Sequence, residues 1–382
     1  MIHRILIPAV LLCFFFSAPV FAQLVPAFPS GHPDAEEIAE TEEALAEKLE
    51  DLADLAEEDE MLPAGLHEHR LVTKDGLERL YYVFIPPEMP RESPGTVQRE
   101  KFPVVIVLHG GGGNALQVRR HVEMDALAAA RRFITVYPEG TGKKIMRQKF
   151  ATWNGGFCCG EAQENNIDDA GFIAAMLDEL EENYPVDSAR IYATGISNGG
   201  LMAQVLACRL SGRIAAVSSI AGPGVPEECN PARPVPMMII HGTEDRCTPY
   251  EGGEKCGGCW QEVMAEVTPF EPKRDAHFPC MGAETQEGFW RMANGCPAEH
   301  TVTFKSGDTM CRQSLSCRND SHVALCTVYE GGHTWPGAAE AHCLPVQKLC
   351  QARRNVMGRT SRDFNANEMM WRFFSTHRLP RD

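Results

Sequence analysis

The sequence predicts an α/β fold with a mostly parallel central sheet and helices on both faces. Three observations lead there. Short apolar runs alternate with helix-period segments along most of the chain, as repeated βα units require. One run, residues 103–108, is continuously apolar, as befits a strand buried on both faces. Finally, Gly195-Ile196-Ser197-Asn198-Gly199 stands between a strand-like and a helix-like segment, where a sharp turn holds a serine exposed.

The elements follow in order. Leu71-Val72-Thr73, a Lys74-Asp75-Gly76 turn and residues 80–85 read as a hairpin. After strand 103–108 come a helix over 124–131 and a strand over 133–137. Phe172, Ile173, Met176, Leu177 and Leu180 recur at three- and four-residue spacing and mark a helix over 168–183. Strand 190–194 leads into a helix starting near Asn198. Strands over 215–220, 237–240 and 323–329 follow, and a helix over 367–377 closes the fold. No internal repeat is present.

The first 63 residues stand apart. His3 and Arg4 precede an apolar run over 5–16 and then Ser17-Ala18-Pro19-Val20-Phe21-Ala22, which reads as a secretory signal over 1–22 cut after Ala22. A membrane anchor needs about 20 apolar residues, more than this run supplies, so no stable membrane insertion is expected. Leu12 before Cys13 does not fit a lipoprotein site. The expected destination is the periplasm or the exterior. Residues 23–63 read as an acidic arm, flexible or helical: 34–60 carry 14 Asp and Glu against Lys48 alone, so most of the net charge of −16 lies there. No basic stripe offsets it, which argues against a nucleic-acid partner. With Cys13 removed, the fifteen cysteines leave an even number, and in an exported chain pairing is the default. Cys256-Gly257-Gly258-Cys259 has metal-ligand spacing, but no second such pair follows, so no metal is expected.

In sheets of this kind ligands sit beyond the carboxyl ends of the strands, and the chemical candidates all fall there. Ser197 follows strand 190–194. Asp245 follows strand 237–240 through His241-Gly242-Thr243-Glu244, with Glu244 as the alternative acid. His333 follows strand 323–329 through Glu330-Gly331-Gly332. Histidine is the residue type that accepts and returns a proton near neutrality, and a carboxylate on its other nitrogen fixes the tautomer. Oxyanion donors are expected from the backbone N–H of Asn198 and from Gly110 and Gly111 in His109-Gly110-Gly111-Gly112-Gly113. Neither that loop nor Gly140-Thr141-Gly142-Lys143-Lys144 has the Gly-Lys-Ser/Thr of a phosphate-binding loop.

Together these motifs resemble the secreted polyhydroxybutyrate depolymerase and feruloyl esterase-type enzymes of the α/β-hydrolase fold. The resemblance rests on Leu108-His109-Gly110-Gly111-Gly112, Tyr137-Pro138-Glu139-Gly140, Trp153-Asn154 leading to Cys158-Cys159-Gly160, and Asp168-Asp169. It continues through the Ser197 pentapeptide, His241-Gly242-Thr243-Glu244-Asp245 and His333-Thr334-Trp335-Pro336-Gly337. It implies esterase activity, a Ser197/Asp245/His333 triad within a catalytic domain over 64–382, and no cofactor. Cys296 and Cys326 stand where that family often has a bridge. The adjacent Cys158 and Cys159 are expected to find separate partners. Between Asp245 and His333 the chain departs from the family: eight cysteines, Cys247 through Cys326, suggest a disulfide-tied cap over about 246–322. His109, Trp153 and Trp335 are the candidates for substrate contact.

The leading reading is a secreted serine carboxylesterase acting on a small molecule or short oligomer of the hydroxybutyrate, feruloyl or acetyl-polysaccharide type. A serine peptidase on the same fold, separated by its rate on peptide substrates, is the alternative. A non-catalytic exported binding protein would leave Ser197 unreactive to a fluorophosphonate.

Overall fold

The structure is a computed structural model that describes residues 64–87, 100–145, 148–267, 277–339 and 347–380. The proposed signal segment and acidic arm lie outside the described residues. Strands form at β1 (Gly65–Val72), β2 (Glu78–Ile85), β3 (Phe102–Leu108), β4 (Ile134–Pro138), β5 (Thr141–Ile145) and β6 (Gln148–Thr152). They continue with β7 (Val186–Ile196), β8 (Ala216–Ile220), β9 (Met237–Gly242), β10 (Gly252–Gly257) and β11 (His277–Met281). The last are β12 (Thr301–Ser306), β13 (Thr309–Ser314) and β14 (Val323–Val328).

Ten of these make one sheet, in the order β1-β2-β4-β3-β7-β8-β9-β14-β13-β12. The middle six, from β4 to β14, are parallel, and an antiparallel pair flanks them on each side. Alternation along each inner strand builds two cores. Val104, Ile106 and Leu108 face one with Ile191, Ile239 and Leu325; Val105 and Val107 face the other with Tyr192, Ile240 and Ala324.

Helices cover both faces. On the second face lie α1 (Ala115–Val122) and α2 (Met124–Arg131). A short α3 (Gly160–Glu164) precedes α4 (Asp169–Asn183), which with α5 (Asn198–Arg209) packs on the first. Next come α6 (Cys259–Val267), α7 (Ala283–Ala293), α8 (Gln347–Met357) and α9 (Ala366–Phe374). Asn114, Asp168 and Asn365 cap α1, α4 and α9, each accepting from an N–H three residues on.

The Cys-rich stretch divides in two. Its first part holds the β10–β11 ribbon and α6, tied by Cys247–Cys259 and Cys256–Cys280, with α6 and α8 packing Val263, Ala352 and Val356 together. Its second part extends the main sheet through β12 and β13, clamped by Cys296–Cys317 and Cys311–Cys326. The expected Cys296–Cys326 bridge is therefore corrected: Cys311 lies directly across from Cys326 in the β13–β14 register and takes it. Cys158 and Cys159 pair with each other, another departure from expectation, and Cys208 pairs with Cys229.

Candidate active site

Ser197 occupies the single residue between β7 and α5, with φ 59° and ψ −125°. Left-handed backbone at a serine costs about 1–3 kcal/mol and persists only where its surroundings impose it. Here they do. A Cβ on Gly195 would lie 2.5 Å from the Gly199 carbonyl oxygen, and one on Gly199 would lie 2.5 Å from the oxygens of both Leu108 and His109. Only glycine fits either side of the turn. The Ser197 N–H donates to Ile220 O at 2.8 Å, which fixes the elbow to the end of β8. Serine at a helix N-cap normally caps with its hydroxyl, yet the Ser197 hydroxyl makes no cap bond.

Asp245 and His333 meet on the same rim. His333 Nδ1 lies 2.8 Å from Asp245 Oδ2, and Asp245 is buried. The other carboxylate oxygen accepts the N–H groups of Cys247 and Thr248, each at 2.8 Å. Because a carboxylate only accepts, a proton of His333 is assigned to Nδ1, which in the neutral ring leaves Nε2 an acceptor. Burial pushes the Asp245 carboxyl up, but attraction and hydrogen bonds from the His333 and His241 imidazoles outweigh it and hold the group well below the usual range. Glu244, the alternative acid, is exposed. His333 is held by its N–H to Met357 O at 2.6 Å. That approach needs Gly332, since a Cβ there would lie 2.1 Å from the same oxygen.

Thr248 is a functional candidate absent from the sequence reading. Its Oγ1 lies 3.0 Å from Asp245 Oδ2, 3.0 Å from Ala221 O and 3.3 Å from His333 Nδ1. Its signal was a threonine three residues past an aspartate, the spacing of a side-chain-closed turn. Through Thr248 the Asp–His pair reaches Ala221, one residue beyond the carbonyl that anchors Ser197. The Ser197 hydroxyl makes no hydrogen bond among the described residues, and catalytic hydrogen bonds are often long or unformed in unliganded sites.

The glycine loop lies against the elbow. A Cβ on Gly110 would lie 3.5 Å from that of Ser197, and one on Gly111 would lie 3.5 Å from that of Asn198. Among the described residues the N–H groups of Gly110, Gly111 and Asn198 have no acceptor, whereas those of Gly112 and Gly113 donate to Ala151 and Gly110. Three free donors therefore gather beside one serine.

The expected substrate contacts are corrected. His109, Trp153 and Trp335 are each at most 1% exposed, and their polar atoms are taken by the protein. Trp335 donates to Asn367 Oδ1 at 2.8 Å and packs in the core between β14 and α9. Trp153 donates to His109 O at 2.9 Å. His109 bridges Gly140 N and Gly110 O, and burial lowers its imidazole to about 4, so it is neutral. These rings stand behind the site's surface. Asp245, Cys247 and His333 lie close enough together to suggest a metal trio, but Cys247 is bonded to Cys259. Cys256 and Cys259 likewise are each in a disulfide and offer no thiolate.

A parallel sheet of this order, a strained serine turn after β7 and an Asp–His pair after the next strands define an α/β-hydrolase. The match goes further than the class. The chain belongs to the esterase PHB depolymerase family, whose model matches residues 89–243. It is 31% identical over 276 residues to the putative esterase NocK of Nocardia uniformis subsp. tsuyamanensis, covering 70% of this chain and 74% of that one. Feruloyl esterase B of Piromyces equi is 32% identical over 186 residues, 47% of this chain but only 31% of that protein. Among solved structures, an acetyl xylan esterase from Aspergillus awamori aligns with 81% of this chain and 99% of its own, with TM-score 0.49 and 13% identity. The chain is a carboxylic ester hydrolase.

Proposed function

We propose that this chain is an exported serine esterase in which Ser197 attacks the ester carbonyl. His333 Nε2 takes the Ser197 proton and delivers it to the leaving alcohol, giving an acyl-enzyme. Water then repeats the sequence in reverse, with His333 as base, releasing the acid and restoring the hydroxyl. Asp245 orients His333 and stabilises the imidazolium. The N–H groups of Asn198, Gly110 and Gly111 receive the charge that builds on the carbonyl oxygen.

The observation that carries the reading is the serine at an N-cap whose hydroxyl caps nothing, held left-handed beside three unpartnered N–H groups. Substrates are soluble esters or short oligomers of the hydroxybutyrate, feruloyl or acetyl-polysaccharide type; a relative bears the name feruloyl esterase B. Export through residues 1–22 is supported by the six disulfides among the described residues. Among the described residues no helix is long and apolar enough to cross a membrane.

The test is p-nitrophenyl acetate hydrolysis by Ser197→Ala, with feruloyl, acetyl-sugar and hydroxybutyrate esters in parallel. Turnover should fall by up to about 10⁶ where the triad acts as a unit. Unchanged turnover removes Ser197 from the mechanism.

A further inference from the structure

Two elements must supply the oxyanion donors, the loop after β3 and the start of α5, and nothing in the triad fixes the distance between them. We propose that Trp153 does, as a positioning residue that ties both donor segments into one rigid unit. This rests on the esterase reading above.

The Asn198 side chain grips the Trp153 backbone at both polar atoms. Oδ1 accepts the Trp153 N–H at 2.7 Å, and Nδ2 donates to the Trp153 carbonyl at 2.9 Å. From the same residue the indole Nε1 donates to His109 O at 2.9 Å, on the other donor segment. The His109 ring lies over the indole, centroids 4.9 Å apart. Its Nε2 accepts the Gly140 N–H at 3.0 Å, so its proton is on Nδ1 and donates to Gly110 O at 2.9 Å. That carbonyl belongs to the peptide whose N–H is Gly111, one of the free donors. A continuous path of hydrogen bonds and side chains thus runs from Asn198 through the buried Trp153 and His109 to the Gly110–Gly111 peptide at the surface.

The same chain is braced from behind. Asn154 N–H donates to Asp169 Oδ2 at 2.8 Å, and Asp169 Oδ1 pairs with Arg79 at 2.6 Å. Glu139 Oε2 accepts Ala115 N–H at 2.8 Å, where the glycine loop enters α1. Trp153-Asn154, Glu139-Gly140, Asp169 and His109 are sequence blocks to which the triad gives no task. This network gives them one. Burial explains why a tryptophan suits position 153: it reaches the His109 carbonyl with a donor and accepts nothing that would compete.

Oxyanion stabilisation depends on donors within a few tenths of an ångström of their place, and a misplacement near 1 Å costs about 10²-fold. Trp153→Phe keeps the packed ring and removes the N–H to His109. In p-nitrophenyl acetate hydrolysis kcat should fall roughly 10- to 100-fold, short of losing a donor outright, while KM holds. Inhibition by a trifluoromethyl ketone, which becomes a tetrahedral oxyanion on the serine, should weaken in step with kcat/KM. Asn198→Ala keeps its own backbone donor but frees Trp153, so the double variant should lose no more than the worse single one. A folded Trp153→Phe with native kcat and inhibitor affinity overturns the proposal, as do losses that multiply in the double variant. If Trp153→Phe does not fold, Asn198→Ala decides alone on the same two measurements. An active Ser197→Ala would instead refute the esterase mechanism itself, so the two failures are told apart.

Discussion

Acid should destabilise this enzyme through His109. The ring is buried and its Nε2 accepts from Gly140, so protonation removes an acceptor and strands a charge. Burial lowers its imidazole from 6.5 to about 4 in the folded chain. The unfolded chain, titrating near 6.5, binds its proton first, so stability is whole above that pH and drains away as pH falls toward the folded value. Between pH 7.5 and 4.0 the difference amounts to about 3 kcal/mol at 1.36 kcal/mol per unit. That is a large share of the roughly 5–15 kcal/mol that holds a domain folded. Urea unfolding of the oxidised protein across that range, compared with His109→Gln, isolates the effect because every other group is common to both. The wild type should lose about 3 kcal/mol more than the variant over the interval. Parallel curves would refute the reasoning, as would an NMR titration midpoint for His109 near 6.5.

Two further substitutions separate chemistry from scaffold. Asp245→Asn can still accept the Cys247 and Thr248 N–H groups, but its amide forces the proton of His333 onto Nε2; kcat should fall by about 10⁴ with little change in melting temperature, and a retained kcat would argue against the assigned roles. Trp335→Phe leaves the half-buried Asn367 side-chain oxygen without its donor, so calorimetry should show a loss of about 1 kcal/mol with kcat/KM unchanged on every ester; altered ester preference would return Trp335 to the pocket.

Much of the sheet was legible because its inner strands are apolar on both faces. Residues 103–108, 190–194 and 237–240 all lie within observed strands. The edges were not legible: β12 is exposed at five of six positions, and nothing in a polar hexapeptide announces a partner. Asp245 and His333 could be singled out because strand-end glycines flag close backbone approach, as the Gly332–Met357 contact shows. The three buried rings were misassigned for a physical reason. A tryptophan or histidine beside a catalytic residue reads the same whether it faces solvent or stands behind the wall, and only burial separates the cases. Disulfide partners were equally hidden, since tertiary placement decides them, as the β13–β14 register does for Cys311 and Cys326.

The turn that carries Asp245 is bonded into sulfur chemistry two residues later. Cys247 lends its N–H to the carboxylate and its side chain to Cys259, and Cys256 links the same small ribbon to Cys280. The covalent frame around the Asp245 carboxylate therefore has one requirement, access to an oxidant. A chain kept under thiol-rich conditions would retain its hydrophobic sheet yet lose the two covalent links that tie this turn to α6 and close the ribbon.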